Sequence, residues 1–329
     1  MQAFEYANPT TVSEAVKALA VTGGSAAVLA GGTDLLSLMK DGVETPKRVV
    51  NLKSIKELQG ISYTAGKGLR LGALATLDEL MQNAKVKQEY LSLVQAAEGV
   101  RSPQIHSVGT VGGDLCQRPR CWYYRGGRGL LAMKDGKSMV MEGDNRYHAI
   151  FRSSNGPAFF VNPSSFAPAL IALGAKVKVT GAKGSREIPV AEFFRIPATE
   201  GERENVLAHD EIVTEILVPP AAQVRNATYE VRQKEALDWP LAAAAVALQM
   251  DGKNVKSARI VLGHVAPVPW PVPDAEKLLP GKAVTASLAE QVGEAAVKGA
   301  MPLSRNSYKI RLARVAVKRA ILRAAGMEV

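Results

Sequence analysis

Two short stretches of the chain combine residue types and spacings that suit anion binding. One is Ala30-Gly31-Gly32-Thr33-Asp34, the other Thr110-Val111-Gly112-Gly113-Asp114. Each sets paired glycines after a small or apolar residue and before a polar one. Glycine has no Cβ, so a ligand can approach the backbone and successive N–H groups can converge on one anion. The first pair also stands just before a helical stretch, whose start favours negative charge. Two such bends suit a pyrophosphate, one for each phosphate. A hydrogen bond to a charged group contributes ~1.5–3 kcal/mol net, so four to six donors give firm binding. Taken singly, each pair reads equally as a plain turn.

Other chemistries lack their signatures. No G-x-G-x-x-G follows a strand and no G-x-x-x-x-G-K-[ST] occurs, which leaves a Rossmann site and a P-loop unsupported. H-E-x-x-H, C-x-x-C and the nucleophile elbow G-x-S-x-G are absent too. His106, His148, His209 and His264 are too dispersed to suggest a metal site. Cys116 and Cys121 are too few for a disulfide scaffold or a four-thiolate site.

The elements that must hold the bends can be read around them. Thr10-Thr11-Val12-Ser13-Glu14 opens a short amphipathic helix that Gly23-Gly24 closes. Residues 26–30 read as a strand, 35–40 as a helix capped by Thr33 or Asp34, and 48–52 as a strand. Residues 1–53 are therefore an α-β-α-β lobe. A strand at 69–73 leads into a helical stretch with one break that ends near Ala97. Residues 102–114 read as a loop. A helix at 166–173 and a strand at 176–180 follow, and 181–186 is a hairpin turn. Pro219-Pro220-Ala221-Ala222-Gln223 is the best linker. Beyond it, 227–232 and 258–262 are strands and 240–250 is Ala-rich and ambiguous. Pro267, Pro269, Pro271 and Pro273 argue against regular structure there. Helices at 288–299 and 307–325 close the chain.

At 329 residues, 47% hydrophobic and 22% charged, the chain is a globular protein of two or three domains, not a disordered one. No apolar run reaches the ~18 residues of a bilayer span, and the N-terminus has no secretory pattern. The net charge of +10 raises nucleic acid as a partner. Much of it lies in residues 305–329, where Arg305, Lys309, Arg311, Arg314, Lys318, Arg319 and Arg323 face Glu328 alone. Aromatic residues are 5%, few for base stacking, so that segment reads as the solvated face of a terminal helix. Neither nucleic acid nor a membrane is expected as a partner.

With both bends in view, the chain resembles the flavoprotein subunit of the molybdenum hydroxylases, the xanthine dehydrogenase and carbon monoxide dehydrogenase family. Val28-Leu29-Ala30-Gly31-Gly32-Thr33-Asp34-Leu35-Leu36 is similar to the family's first FAD-binding motif. Val108-Gly109-Thr110-Val111-Gly112-Gly113-Asp114-Leu115 is similar to the second, with Asp114 where the family has Asn or Asp. Asn162-Pro163-Ser164-Ser165-Phe166 resembles a segment that usually reads Pro-Ser-Asp; Ser165 stands in place of that Asp. Arg232-Gln233-Lys234-Glu235-Ala236-Leu237-Asp238, Gly263-His264-Val265-Ala266-Pro267 and the closing helix after Pro302 match further segments.

The resemblance implies a fold of α/β plus α+β class. A two-lobed FAD-binding domain of the vanillyl-alcohol and xanthine dehydrogenase type covers 1–222, with lobe one at 1–56, lobe two at 57–222 and an insertion at 116–161. An α+β domain with an antiparallel sheet and helices covers 223–329. It implies non-covalent FAD held by Leu29, Ala30, Gly31, Gly32, Thr33, Asp34, Leu35, Gly109, Thr110, Gly112, Gly113, Asp114 and Ser164. Lys234, Arg232 or Glu230 is expected near the flavin, and no catalytic acid or base is needed. The implied partners are a large subunit with the molybdenum cofactor, a small subunit with [2Fe–2S] clusters, and an external electron acceptor. The compartment implied is the cytoplasm, or the periplasm by co-export on a partner's twin-arginine signal. The competing reading is a free-standing FAD oxidase of the vanillyl-alcohol type, with His106 as a flavin link. A third is a module that has lost FAD.

Residues 116–161 resemble the insertion of 4-hydroxybenzoyl-CoA reductase and of bacterial aldehyde oxidoreductases, where four cysteines hold an extra [4Fe–4S] cluster. Cys121 falls at the first ligand position and no cysteine follows it. Cys116 and Cys121 cannot hold a cubane, so the insertion is expected without its cluster. Trp122, Tyr123 and Tyr124 either stack on the flavin or adenine or pack the base of the insertion. Arg118, Arg120, Arg125 and Arg128 bind pyrophosphate, dock an acidic partner or line a solvated loop. His148 is expected as a hydrogen-bonding residue.

Overall fold

The computed structural model describes residues 1–20, 25–153, 156–235 and 237–329. Gly23-Gly24, read above as a helix end, lies outside them. Lobe one is a parallel sheet in which Arg48–Asn51 lies between Glu5–Ala7 and Ala26–Leu29. Its crossovers are the helices Val12–Ala20 and Leu35–Lys40. The lobe therefore begins with a strand that the α-β-α-β reading missed. Glu5–Ala7 is three residues long and mostly exposed, too short to show a pattern. Thr11 Oγ1 accepts the Glu14 N–H at 3.2 Å, so the first helix is capped as expected. Val16, Leu19, Val50, Leu52, Ile55 and Leu58 form the lobe's core.

Lobe two is an antiparallel sheet in the order Ile61–Thr64, Gly68–Gly72, Ile212–Val218, Lys176–Gly181, Gly184–Pro189. Its middle strand arrives last in sequence. The helical stretch before Ala97 has two breaks, giving Leu77–Gln82, Ala84–Glu89 and Leu91–Gly99. Asn83 Oδ1 caps the second helix through Lys85 N and Val86 N. Tyr90, at the other break, is fully buried and donates its hydroxyl to Pro219 O at 3.0 Å. The expected loop at 102–114 holds two short helices, Pro103–Val108 and Val111–Cys116. Pro103 sits in the first turn, where its missing N–H costs nothing, and Thr110 caps the next helix. Gly and Pro there mark helix ends.

The sheets change between Val218 and Val224. Val224–Val231, Ala242–Asp251, Asn254–Gly263 and Trp270–Pro271 form a four-stranded antiparallel sheet. Residues 240–250 were ambiguous because their strand is buried on both faces. Ala242, Ala244, Val246 and Leu248 pack towards the helices Ala286–Ala296 and Tyr308–Ala324. Ala245 and Ala247 pack towards the core that contains helix Phe166–Ala172. With no wet face, no alternation shows. The proline-rich segment is not wholly irregular. Trp270–Pro271 pairs at the sheet edge and Pro273–Glu276 is a helix with proline in its first turn, two places where proline is tolerated.

The solvated-face reading of residues 305–329 holds only in part. Lys318 pairs with Glu290 at 2.5 Å, Arg314 reaches Glu290 at 3.5 Å, and Arg319 and Arg323 lie over the Tyr229 ring. Lys309 is buried. Its Nζ donates to the carbonyls of Tyr147, His148 and His264 at 3.2, 3.2 and 2.8 Å. Asn306 Nδ2 donates to His148 O and Ala149 O beside it. The closing helix thereby fastens the insertion to the C-terminal sheet. Lys309→Met removes the donor to the His264 and Tyr147 carbonyls, while His148 O keeps Asn306, and is expected to cost about 3 kcal/mol in unfolding free energy. Equilibrium urea denaturation of the variant beside wild type measures it.

Candidate functional site

The two glycine bends meet in space. Strand Ala26–Leu29 ends beside Asn51, the chain turns through Gly31 and Gly32, and helix Leu35–Lys40 begins. Gly32 has φ +76°, a left-handed conformation that suits glycine. A Cβ on Gly31 would lie 1.9 Å from the Val108 carbonyl oxygen, so only glycine lets the first bend touch the backbone of the second. Among the described residues, the N–H groups of Gly31, Gly32, Thr33 and Asp34 have no protein acceptor. Four consecutive donors without protein acceptors thus belong to residues that line one cavity.

The second bend works differently from the expectation of a matching donor cluster. Val111 N donates to Ala75 O and Gly112 N to Ala73 O, both at 2.9 Å. Gly113 N donates to Thr110 Oγ1 at 3.0 Å and Asp114 N to Thr110 O at 2.9 Å. Two of its amides dock the helix Val111–Cys116 beside the end of lobe two's sheet, and two close on Thr110 within the bend. A Cβ on Gly112 would come within 2.8 Å of Ala73 O. These glycines allow close packing and a smooth wall; they do not form a second donor nest.

A cavity of about 560 Å³ lies between the bends. Ala30, Gly31, Gly32, Thr33, Asp34 and Leu35 line one side and Gly109, Thr110, Gly112, Gly113 and Asp114 the other. Arg203, Asn205 and His209 close it from the connection before the middle strand of lobe two, and Gln117, Arg120 and Trp239 stand at another edge. Arg120 was among the arginines expected near a pyrophosphate; Arg203, Asn205, His209 and Trp239 carried no local signal for this site, because distant segments bring them there. Leu29 does not line the cavity; it is buried with Met39 and Val49.

Thr33 or Asp34 was expected to cap the helix; Asp34 stands at the cap position, but its carboxylate makes no cap bond. Instead it clamps the insertion. Oδ1 accepts from Arg120 at 2.5 Å and Arg125 at 2.7 Å, and Oδ2 accepts the Arg118 N–H at 2.8 Å. Burial disfavours the Asp34 anion, yet Arg120, the Arg118 N–H and Arg125 outweigh it and hold its carboxyl below the usual range. Burial pushes Arg120 down to about 10 against the pull of Asp34, so it stays charged at neutral pH. Arg118 pairs with Glu44 and Glu204, each at 2.7 Å. Of Arg118, Arg120, Arg125 and Arg128, the first three are thus committed to carboxylates inside the protein rather than left in solvent.

Asp114 is held by Ser164 Oγ, Gln117 Nε2 and Phe166 N. Burial pushes its carboxyl up to about 6, against the Ser164 hydrogen bond. Ser164 is itself buried and lines no cavity described here; it anchors Asp114 to the start of helix Phe166–Ala172. His106 also lies off the cavity, 4.0 Å from Asp78. Lys234 is exposed at a turn and lines neither cavity. Glu230 and Arg232 form a buried pair with Ser165 Oγ on the carboxylate, away from both cavities.

The insertion packs Tyr124, Leu130, Leu131 and Phe160 against Leu38 of lobe one. Cys116 and Cys121 are unbonded to each other. Burial pushes Cys116 up to about 12 and raises Cys121, so both are thiols at neutral pH. Cys121 Sγ lies 3.2 Å from His148 Nε2. Among the described residues no three His, Cys, Asp or Glu side chains gather as a metal site, so the side chains present do not fit an iron–sulfur cubane. Trp122 lines a second cavity of about 180 Å³ with Tyr147, His148, Phe160, His264 and Trp239. Burial lowers His148 to about 4 and His264 to about 3, so both rings are neutral.

Comparison with known proteins places this geometry in a family. The chain matches the FAD binding domain in molybdopterin dehydrogenase over residues 2–221 and the CO dehydrogenase flavoprotein C-terminal domain over 227–324. It belongs to that family. The aldehyde oxidoreductase FAD-binding subunit PaoB of Escherichia coli K12 is 30% identical over 317 residues, covering 95% of this chain and 96% of PaoB. The carbon monoxide dehydrogenase medium chain of Hydrogenophaga pseudoflava is 28% identical, covering 97% and 96%. A solved structure of carbon monoxide dehydrogenase from that organism superposes with a TM-score of 0.77 over 99% of this chain and 98% of the other, at 28% identity.

Two outcomes follow from the geometry. Gly31→Ala forces the two bends apart and is expected to cost ~1–3 kcal/mol through overpacking, read as a lowered urea midpoint. His148 is neutral in the fold with a pKa of about 4, against about 6.5 unfolded, so below pH 6.5 the unfolded chain binds more protons. Stability is therefore lost as pH falls from 6.5 towards 4. His148→Gln is expected to remove about 2 kcal/mol of the loss between pH 7 and 5; an unchanged pH slope contradicts the buried neutral ring.

Proposed function

We propose that this chain carries FAD non-covalently and is the electron-transfer subunit of a molybdenum hydroxylase complex. One observation carries the reading: four residues with unpaired amides, Gly31 to Asp34, line a cavity of cofactor size together with the glycines Gly109, Gly112 and Gly113. The residues fit the group. The amides can donate to diphosphate oxygens, the glycine wall admits the chain of the dinucleotide, and Arg120 adds positive charge beside the bend. Asp34 is a positioning residue, since its carboxylate is committed to Arg120 and Arg125. Thr110 keeps the wall in place by capping Val111–Cys116.

When bound, FAD supplies the redox chemistry, and the protein supplies position, electrostatics and exclusion of water. In this reading electrons come from the [2Fe–2S] clusters of a small subunit, after oxidation of a substrate at the molybdenum cofactor of a large subunit. They leave to an external acceptor. We place the chain in the cytoplasm, where its two unpaired thiols persist as thiols. Among the described residues no helix is long and apolar enough to cross a membrane. No observation favours the free-standing oxidase, since His106 lies off the cavity.

The purified chain, supplied with FAD, is expected to hold one equivalent and to absorb near ~370 and ~450 nm, bands that bleach on reduction. Gly32→Val is expected to lose the flavin while keeping its circular dichroism, because a β-branched residue resists φ +76°. Full flavin retention by that variant removes the first bend from the site.

A further inference from the structure

The second cavity is joined to the first through two side chains. Arg120 and Trp239 line both, with the guanidinium 4.4 Å from the Trp239 ring centroid. Arg120 is fixed by Asp34 at 2.5 Å and Gln117 at 2.7 Å. A wall one side chain thick therefore separates the cofactor cavity from a space open to solvent, where Trp122, Tyr147 and Trp239 are each more than a third exposed.

The lining of that space is selective. Trp122 and Tyr147 pack edge to face at 5.4 Å, and Phe160 and Trp239 add further ring surface. Such faces suit a flat conjugated ring. Charged ligands are poorly served. Lys309 spends its donors on three carbonyls, the Arg120 guanidinium is committed to Asp34 and Gln117, and the Asp238 carboxylate accepts from Lys234 N and Trp239 N. Two buried imidazole nitrogens remain, His264 Nε2 and His148 Nδ1, and among the described residues neither has a partner. His264 holds a left-handed backbone, φ +59°, which costs free energy for a residue with a side chain. Lys309 donates to its carbonyl and keeps it there. An unpartnered neutral imidazole is satisfied by a carbonyl oxygen when its N–H points to the ligand.

We propose that this cavity binds the oxidant that collects electrons from the subunit, an uncharged quinone of one or two fused rings. The assignment rests on the FAD reading above. The ring lies among Trp122, Tyr147 and Trp239, with a quinone oxygen at His264. Two electrons cross the Arg120–Trp239 wall from the reduced cofactor. With two protons, one from each reduced-flavin nitrogen or its solvent equivalent, they convert the quinone to hydroquinone and leave oxidised FAD. At about 180 Å³, roughly a third of the first cavity, the space suits one or two fused rings and is too small to enclose a whole nicotinamide dinucleotide.

The test uses 1,4-naphthoquinone. Two of the chain's three tryptophans line the cavity, so a bound quinone quenches intrinsic fluorescence saturably, with or without FAD. Val161→Phe, which fills the cavity, and Tyr147→Ala, which removes a half-exposed wall, are each expected to weaken quinone binding at least tenfold while FAD content stays at the wild-type level. In the assembled complex the same variants raise KM for the quinone. Non-saturable quenching in wild type, or equal affinity in folded variants, overturns the proposal. So does loss of FAD from both variants, which would put the flavin ring in this cavity. A chain that binds naphthoquinone here but never FAD would instead remove the cofactor reading.

Discussion

The whole site depends on a contact between two stretches of backbone. Gly31 lies against the Val108 carbonyl with no room for a methyl group, and that contact joins the parallel sheet of lobe one to the helices on lobe two. Everything that lines the first cavity is placed relative to it. The donors on one side are free because the chain turns there before its helix begins. The donors on the other side are spent because Gly112 must dock on Ala73. Two bends with the same residue pattern thus do opposite work. One leaves its amides unpaired and one spends them, and the difference comes from what each packs against.

Charge organises the second layer. Asp34 sits at the end of the first bend and draws Arg118, Arg120 and Arg125 across from the insertion. A partly buried carboxylate facing two guanidiniums holds its charge because each side of the pair compensates the desolvation of the other. The insertion is held at its far end by Lys309 and Asn306, and along its length by Tyr124, Leu130 and Phe160 against Leu38. Those interactions explain how a segment resembling a cluster-binding insertion keeps a defined structure with only two cysteines. Hydrogen bonds and apolar packing fasten it to the lobe and the C-terminal helix.

Much of the architecture was legible along the chain. The strands around the linker, the hairpin at 181–186 and the closing helices have clear periodicity or turn chemistry. Two of the misreadings share one cause. Residues 102–114 read as loop, and 267–273 as irregular, because Gly and Pro were taken as breakers where they serve as helix starts, helix ends and a sheet edge. The Ala-rich strand was ambiguous because burial on both faces erases alternation. Lys309 looked solvated because a helix wheel shows which residues share a face, not what lies over that face.

The sequence by itself determined which positions lack a side chain, where the helices can start, that two thiols cannot hold a cubane, and the family to which the motifs belong. These depend on residue identity and near neighbours. Only the tertiary structure decided that the two bends touch, which amides stay unpaired, that Asp34 clamps arginines instead of capping a helix, and that Ser164, His106 and Lys234 stand off the cavity. Each of those depends on groups far apart in the chain arriving at one point. Hydrogen-bond donors and charges are committed by whichever partner arrives, and the arrival is set by packing.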